Sequence, residues 1–472
     1  MKAALHLLSQ WAKQRSEVIA LKTPNKNYSW NQLNHRVNQL SQSLMDQQLQ
    51  SGDVLACVSK NSVDFVLIYL ACVRLGVIPA LIAPQPYAQL EKKLTQLNCH
   101  HIWLGEGSAE YCDYETAEKL DRLNRIVLSV PDSVHALNNV DLNVSQPIVS
   151  LVFTSGSTGN PKAVAHSIEN HLKSAEGLLK EFHYQCDDLW LLSLPMFHVS
   201  GLAIIWRWLS IGGGLKIGKG ESLATDLQGV THASLVPTQL KRLLDSGMEL
   251  SLSHVLLGGS DIPVELALQA KAQGIETWLG YGMTEAASTV TAKPVDGKQG
   301  VGKVLANRKV KVENKLIYIG GETLAMGYFN RGVLDPIAQY GWFDSKDLGV
   351  WDAEQLLILG RADNQFISGG ENIHCEEIES ILCQSPDVLA VFVVPVCDKE
   401  FGSRPVALIA CPEELNIAQY KSLVSSQLEK FKWPIEYLKL PKSLLSASGI
   451  KISRYDVKKW FKESQHKYQL VI

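Results

Sequence analysis

Short apolar runs alternate with helical patterns along most of the chain, and this alternation constrains the fold more than any other feature. Leu33, Val37, Leu40 and Leu44 recur at helical spacing, and residues 54–58 read as a strand. Residues 65–76 read as a helix that stops at Gly76, and 77–82 as another strand. The rhythm returns with strand 191–194, helix 202–209 and strand 233–236, closed by Pro237. Strand 255–257 then runs into Gly258 and Gly259, and strand 276–279 into Gly280. Helices covering a mostly parallel sheet produce this order, and such sheets place ligands in the loops after their strands. From about 301 to 359 short strands with glycine turns take over. Beyond Gly360, a helix over 376–382, a strand over 388–394 and a polar helix over 417–428 suffice for a small α+β domain. The expected fold is α/β, with a large domain over 1–360 and a small one over 361–472.

A chain of 472 residues has room for more than one core. Its 46% hydrophobic and 20% charged residues, with a net charge of -3, describe an ordinary globular protein. No dense Lys/Arg stripe is present, so no nucleic-acid partner is expected. The first ten residues are too broken by polar side chains for a secretory core and continue as an amphipathic helix. The apolar runs 202–206 and 389–396 fall well short of the ~20 residues that cross a bilayer, so no membrane insertion is expected. Nine cysteines without a CxxC pair read as reduced thiols, and a cytoplasmic location follows. Oligomeric state is not written in the sequence, though a homodimer would be unsurprising.

The segment Thr154, Ser155, Gly156, Ser157, Thr158, Gly159, Asn160, Pro161, Lys162 follows a strand candidate ending at Val152 and Phe153. A triphosphate needs close backbone approach, several N–H or O–H donors and a mobile cation. Gly156 and Gly159 allow the approach, four hydroxyls donate and Lys162 carries the charge. The spacing is not GxxxxGK[ST], because Asn160 and Pro161 separate the last glycine from the lysine, so a Walker-type kinase or GTPase is disfavoured. By itself the loop could equally be a polar surface turn.

With its distant partners, the loop resembles the signature of the adenylate-forming superfamily, which holds acyl- and aryl-CoA ligases, luciferases and nonribosomal peptide adenylation domains. Tyr281, Gly282, Met283, Thr284 and Glu285 resemble its adenine- and metal-contacting segment, and residues 341–347 its ribose segment. Residues 360–363 resemble the junction before a mobile domain, and 449–454 the catalytic-lysine segment. The motifs occur in the family's order and span essentially the whole chain. The resemblance implies a small barrel-like part in the large domain and a mobile C-terminal domain turning about Asp363. It also implies ATP, Mg2+ and coenzyme A as ligands.

On this resemblance Thr284 contacts the α-phosphate and Glu285 holds the metal, while Asp347 and Arg361 grip the ribose. Lys451 holds the attacking carboxylate against the α-phosphate, and Gly369 and Gly370 lie on the thiol side. Read alone, Glu285 could be a helix cap and Lys451 a solvated surface lysine. The family often has glycine directly before that lysine, whereas Ile450 intervenes after Gly449 here.

His198, Ser200 and Gly201 match the family's acyl-pocket segment, and the resemblance counts Gly280 in the same pocket. Read alone, His198 could be a hydrogen-bonded structural residue. Arg207 sits inside the apolar, aromatic run 204–209. A buried guanidinium needs a partner, which could be a substrate carboxylate, an internal acid or solvent reached by snorkelling. The branch with the closest pattern is a set of short bacterial CoA ligases of menaquinone biosynthesis. Their substrate is an aromatic dicarboxylic acid with a succinyl side chain, and this diacid and CoA are the expected small-molecule partners. Another acyl- or aryl-CoA ligase, a carrier-loading adenylation enzyme and a catalytically silent nucleotide binder remain the alternatives.

Overall fold

The computed structural model describes residues 7–112, 114–129, 147–155, 161–258, 262, 264–368, 371–398, 401–412, 414–444, 452 and 454–464. The chain forms two compact units. One comprises 1–154, 161–310 and 319–343, and the other 155–160, 311–318 and 344–472.

The first unit is built on two large sheets. An eight-stranded sheet runs in the order Val333–Asp335, Gly327–Asn330, Pro161–Ser167, Ile148–Ser155, Ile78–Ile82, Val54–Val58, His101–Leu104, Asn124–Arg125. Its strands from Ile148–Ser155 onward pair in parallel. A nine-stranded sheet has a parallel centre running Ile19–Lys22, Gly214–Lys216, Leu189–Leu191, His232–Leu235, His254–Leu257, Glu276–Met283. Its last central strand turns back antiparallel into Ser288–Pro294.

Helices Leu7–Gln14, Trp30–Asp46, Val63–Leu75, Ile168–Leu179 and Val199–Ile211 share one core with residues from both sheets. Trp30–Asp46 starts at a reciprocal cap, in which Ser29 Oγ accepts from Gln32 N and Gln32 Oε1 from Ser29 N. Its Leu33, Val37, Leu40 and Leu44 are all buried, as their spacing requires. Val63–Leu75 is apolar nearly all round, as befits a helix enclosed on every side. It is capped by Ser62 at one end and by left-handed Gly76 at the other. Val199–Ile211 is likewise enclosed, and its tryptophans are satisfied internally: Trp206 Nε1 donates to Tyr69 at 2.8 Å and Trp208 Nε1 to the Gly213 carbonyl at 3.1 Å. Burying each such side chain contributes about 1.5–3 kcal/mol, so a charge at Leu40 would break this layer. The outer sheet faces are covered by Tyr87–Leu97 on one side and by Pro237–Asp245 and Val264–Ala272 on the other.

In the second unit, Ala390–Asp398 and Gly402–Ala410 form an antiparallel hairpin that Glu436–Lys439 extends in parallel. Cys375–Leu382 and Ile417–Gln427 pack on this sheet around Ile378, Leu382, Val393 and Tyr420. Cys375 is part of that core, and burial pushes its thiol up to about 12, which leaves it inert. None of the nine cysteines is in a disulfide. No helix among the described residues is long and apolar enough to cross a membrane.

Candidate nucleotide and acyl site

Strand Ile148–Ser155 lies inside the eight-stranded sheet and delivers Thr154 and Ser155 at its C-terminal end. Residues 156–160, with Gly156, Ser157, Thr158 and Gly159, lie outside the described residues. The chain returns as strand Pro161–Ser167, so Lys162 stands on a strand rather than in the loop that it closes. This strand pairs with Gly327–Asn330, which brings Tyr328 beside it. The exposed ammonium of Lys162 lies 4.7 Å from the centre of the Tyr328 ring, and Tyr328 donates from its hydroxyl to Glu285 Oε1 at 3.1 Å. Burial, reinforced by the Glu285 carboxylate, pushes the Tyr328 hydroxyl well above its ordinary range, so it stays a donor. Tyr328 thus touches both a cation over its ring face and a carboxylate at its hydroxyl, contributed by residues far apart in sequence.

Tyr281, Gly282 and Met283 end strand Glu276–Met283. An added Cβ at Gly282 would sit 1.9 Å from the Ser288 carbonyl oxygen, so only glycine fits there. Thr284–Ala286 is a single tight turn, and Ala287 and Ser288 after it have φ of 50° and 98°. Glu285 is half-buried, and no Lys, Arg or His lies within ion-pair distance of it among the described residues. Nor do the described residues contain three or more His, Cys, Asp or Glu grouped to cage a metal. One such carboxylate suits Mg2+, which is commonly held by one or two carboxylates together with substrate phosphates.

The acyl side is organised around helix Val199–Ile211. Asn61 holds the segment before it, donating to the Leu192 and Leu194 carbonyls and accepting from Met196 N. His198 is the residue before the first turn, half-buried against Phe197, with its ring 4.8 Å away. Ser200 is half-buried, and Gly201 packs so closely on Pro195 that a Cβ would meet its carbonyl oxygen at 2.2 Å. Arg207 is 2% exposed. No acidic side chain pairs with it among the described residues; its contacts are one long hydrogen bond to Thr289 Oγ1 at 3.4 Å and the Trp190 ring at 5.4 Å. Its Nε has no partner. Burial first, and repulsion from Arg308 second, push it down to about 9. Thr289 also touches Gly280, whose added Cβ would lie 2.9 Å from the Thr289 methyl. A buried guanidinium with one long hydrogen bond and an unpartnered Nε is suited to an anion.

The second unit holds the other predicted residues. Asp347 and Arg361 are opposite each other on neighbouring antiparallel strands, with Nη1 to Oδ1 at 3.0 Å. Asp347 is nearly buried, and Ser345 Oγ accepts from its backbone N–H. Asp363 lies in a tight turn between strands, and its side chain is outside the described set. Gly369, Gly370 and Lys451 are outside the described residues, as is Gly259 of the first unit, while Gly258 is exposed. Arg454, close after Lys451, is tied to Glu379.

The structure thus gathers Lys162, Thr284 and Glu285, and separately Arg207 with Gly280. Sequence reasoning missed Tyr328, Thr289 and Asn61, none of which belongs to a motif. A Tyr on a short strand carries no signal that it will meet Glu285.

A family model described as AMP-binding enzyme matches residues 8–329. The chain is 39% identical to the 2-succinylbenzoate--CoA ligase of Escherichia coli K12 over 96% of this chain and 98% of that one. It is likewise 39% identical to the ligase of that name from Haemophilus influenzae over 94% and 95%. Among solved structures, an Arg-to-Lys variant of E. coli MenE with bound OSB-AMS matches with a TM-score of 0.86 at 38% identity, over 97% of this chain and 98% of that chain. MenE of Bacillus subtilis with its acyl-adenylate intermediate OSB-AMP matches at 0.83 and 25%, over 96% and 98%.

Proposed function

This chain belongs to the AMP-binding enzyme family, and on that premise we propose that it is a 2-succinylbenzoate–CoA ligase of menaquinone biosynthesis. The acid's succinyl carboxylate attacks the α-phosphorus of ATP, pyrophosphate leaves, and the acyl-adenylate passes to the thiol of CoA with release of AMP. All these reactants are small soluble molecules, and the cytoplasm is the proposed location.

The single observation that carries the choice of acid is Arg207. A buried guanidinium with no acidic partner among the described residues, beside Thr289, is suited to a second carboxylate on the substrate. Pocket segment 198–201 and Gly280 supply the surrounding wall.

Two anions must meet in the first step, so fixed positive charge and donors are the main requirement. In this reading residues 154–159 cradle the phosphates and Lys162 neutralises them. Glu285 holds Mg2+, which supplies charge neutralisation on the polyphosphate when bound. Gly258, Gly259 and 281–283 line the base, and Asp347 with Arg361 takes the ribose. Lys451 draws carboxylate and α-phosphate together, and Gly369 and Gly370 pass the thiol arm after rotation about Asp363. The substrate carboxylate is already ionised near neutral pH, so His198 is proposed to pack against the acid rather than to act as a base.

The test measures acid-dependent pyrophosphate release and CoA thioester formation over a panel of acids. 2-Succinylbenzoate is expected to lead the panel. Arg207→Ala should lower its kcat/KM roughly a hundredfold or more, while an analogue lacking the ring carboxylate changes by less than about threefold. Equal losses for both acids would sink the role given to Arg207. Efficient turnover of a simple aryl or alkyl acid instead would make the chain another CoA ligase.

A further inference from the structure

The turn that carries Thr284 and Glu285 is strained, with Ala287 and Ser288 both at positive φ, and such a turn persists only where its surroundings hold it. The holding groups are identifiable. The Thr284 carbonyl accepts from His166 Nε2 at 2.7 Å, and the Glu285 carbonyl accepts from Ala325 N at 2.9 Å. The Ala287 carbonyl accepts from Ser174 Oγ at 2.5 Å, and the Thr289 carbonyl from Arg308 Nε at 3.0 Å. Of these, the contact to Thr284 is made by a fully buried histidine that no motif assigns.

His166 does not stand alone. Ser150 Oγ lies 3.4 Å from its Nδ1 and 2.8 Å from Nε2 of His171, which is also buried. A carbonyl oxygen only accepts, so His166 carries its proton on Nε2 and its Nδ1 must accept from Ser150. The Ser150 hydroxyl then accepts from His171 Nε2–H, and the donors run in one direction from His171 through Ser150 and His166 to Thr284. Burial keeps His166 neutral by pushing it down to about 4, and it holds His171 well below its ordinary value. At the far end, the His171 ring is stacked on Trp206 at 5.2 Å and 8°, beside Arg207 on the acyl helix.

We propose that His166 is a positioning residue for the adenylation step: through its bond to the Thr284 carbonyl it fixes the direction in which Thr284 and Glu285 face MgATP. Ser150 and His171 orient the imidazole and join this turn to the helix that carries Arg207. The proposal rests on the adenylation reading above and adds a residue to it.

The experiment uses the full chain and compares His166→Phe, His166→Gln and Ser150→Ala with the native protein. Gln places an N–H where Nε2 stood, whereas Phe keeps the bulk without the donor. For His166→Phe we expect adenylation kcat to fall roughly tenfold or more, with KM for the acid changed by less than about twofold. By titration calorimetry MgATP should bind more weakly, while adenosine, which has no phosphates, binds as to the native chain. His166→Gln should recover activity to within about threefold, and Ser150→Ala should fall between. Equal weakening of adenosine and MgATP, or no recovery with Gln, would reduce His166 to a core-filling residue and overturn the proposal. So would native MgATP affinity in His166→Phe. A native protein that binds MgATP yet adenylates no acid would instead overturn the functional reading, and the binding comparison would still decide the role of His166.

Discussion

Arg207 and Arg308 are both buried, and their different surroundings give them opposite roles. Arg308 donates to the carbonyls of Thr289, Lys173, Ala306 and Ser174 and to Ser174 Oγ, all within 3.2 Å. Its guanidinium ties strand, turn and helix together. Arg207 has one hydrogen bond of 3.4 Å and an orphaned Nε. A buried cation left this way costs stability, because its desolvation is not offset until an anion arrives. Replacing Arg207 by Met should therefore stabilise the ligand-free protein by about 1–2 kcal/mol, and replacing Arg308 by Met should destabilise it by about 3–5 kcal/mol. Denaturant midpoints measure both. The same Arg207→Met chain should lose most of the stabilisation that the diacid gives the native protein, since that gain tracks affinity. If both replacements destabilise alike, Arg207 is a structural arginine and the acid is recognised elsewhere.

At the scale of elements, the nine-stranded sheet carries a histidine pair at the N-terminal ends of its strands, where no ligand segment lies. His232 and His254 face each other across neighbouring parallel strands, their rings stacked 5.0 Å apart at 4°. The Phe182 edge covers both. Burial pushes His232 down to about 4, against a smaller upward pull from the His183 carbonyl and Asp188, and burial also lowers His254. A base held below its unfolded value binds fewer protons folded than unfolded, so protonation favours the unfolded chain. Stability from this pair is full above pH 6.5 or so, the ordinary histidine value, and is lost as the pH falls towards 4. Unfolding midpoints measured across that range should drop for the native chain and drop less steeply for His232→Gln. An unchanged slope would remove the pair as the cause. These strands were legible in the sequence because burial on both faces writes itself into continuous apolar runs, and the helix ending at Gly76 was legible too. The extension of strand 276–279 through Tyr281, Gly282 and Met283 was not, because Gly280 against the Thr289 methyl and Gly282 against the Ser288 carbonyl interrupt the apolar pattern. Lys162 on its strand depends on pairing with the distant Gly327–Asn330, and the meetings of Tyr328 with Glu285 and of His166 with Thr284 join residues 43 and 118 apart. No local pattern records such pairings.

At the scale of the whole molecule, the proposed reaction has two steps with different needs: Lys451 at the first and a thiol path at the second. Rotation about Asp363 is the proposed device, and the second unit shows what such a rotation must break. The Gly360 α-carbon, at φ 141°, faces helix Cys375–Leu382 so closely that a Cβ would meet Glu376 Oε2 at 2.8 Å. Asn364 donates to the other Glu376 oxygen at 2.7 Å and accepts from Lys458 at 3.1 Å. A turn at Asp363 would carry Asn364, Glu376 and Lys458 together, since all three follow it in sequence, and would part Gly360 from Glu376. The Asp347–Arg361 pair, preceding the turn, would be left whole. Proline at 363 restricts φ and removes an N–H, so it should hold one arrangement. Asp363→Pro is expected to keep acid-dependent pyrophosphate release within about threefold while slowing thioester formation roughly a hundredfold. Rapid-quench measurement of the two steps separates them. Unchanged rates for both would move the hinge away from Asp363. The boundary between the two compact units, which falls between Phe343 and Asp344, would then be the next position to restrain.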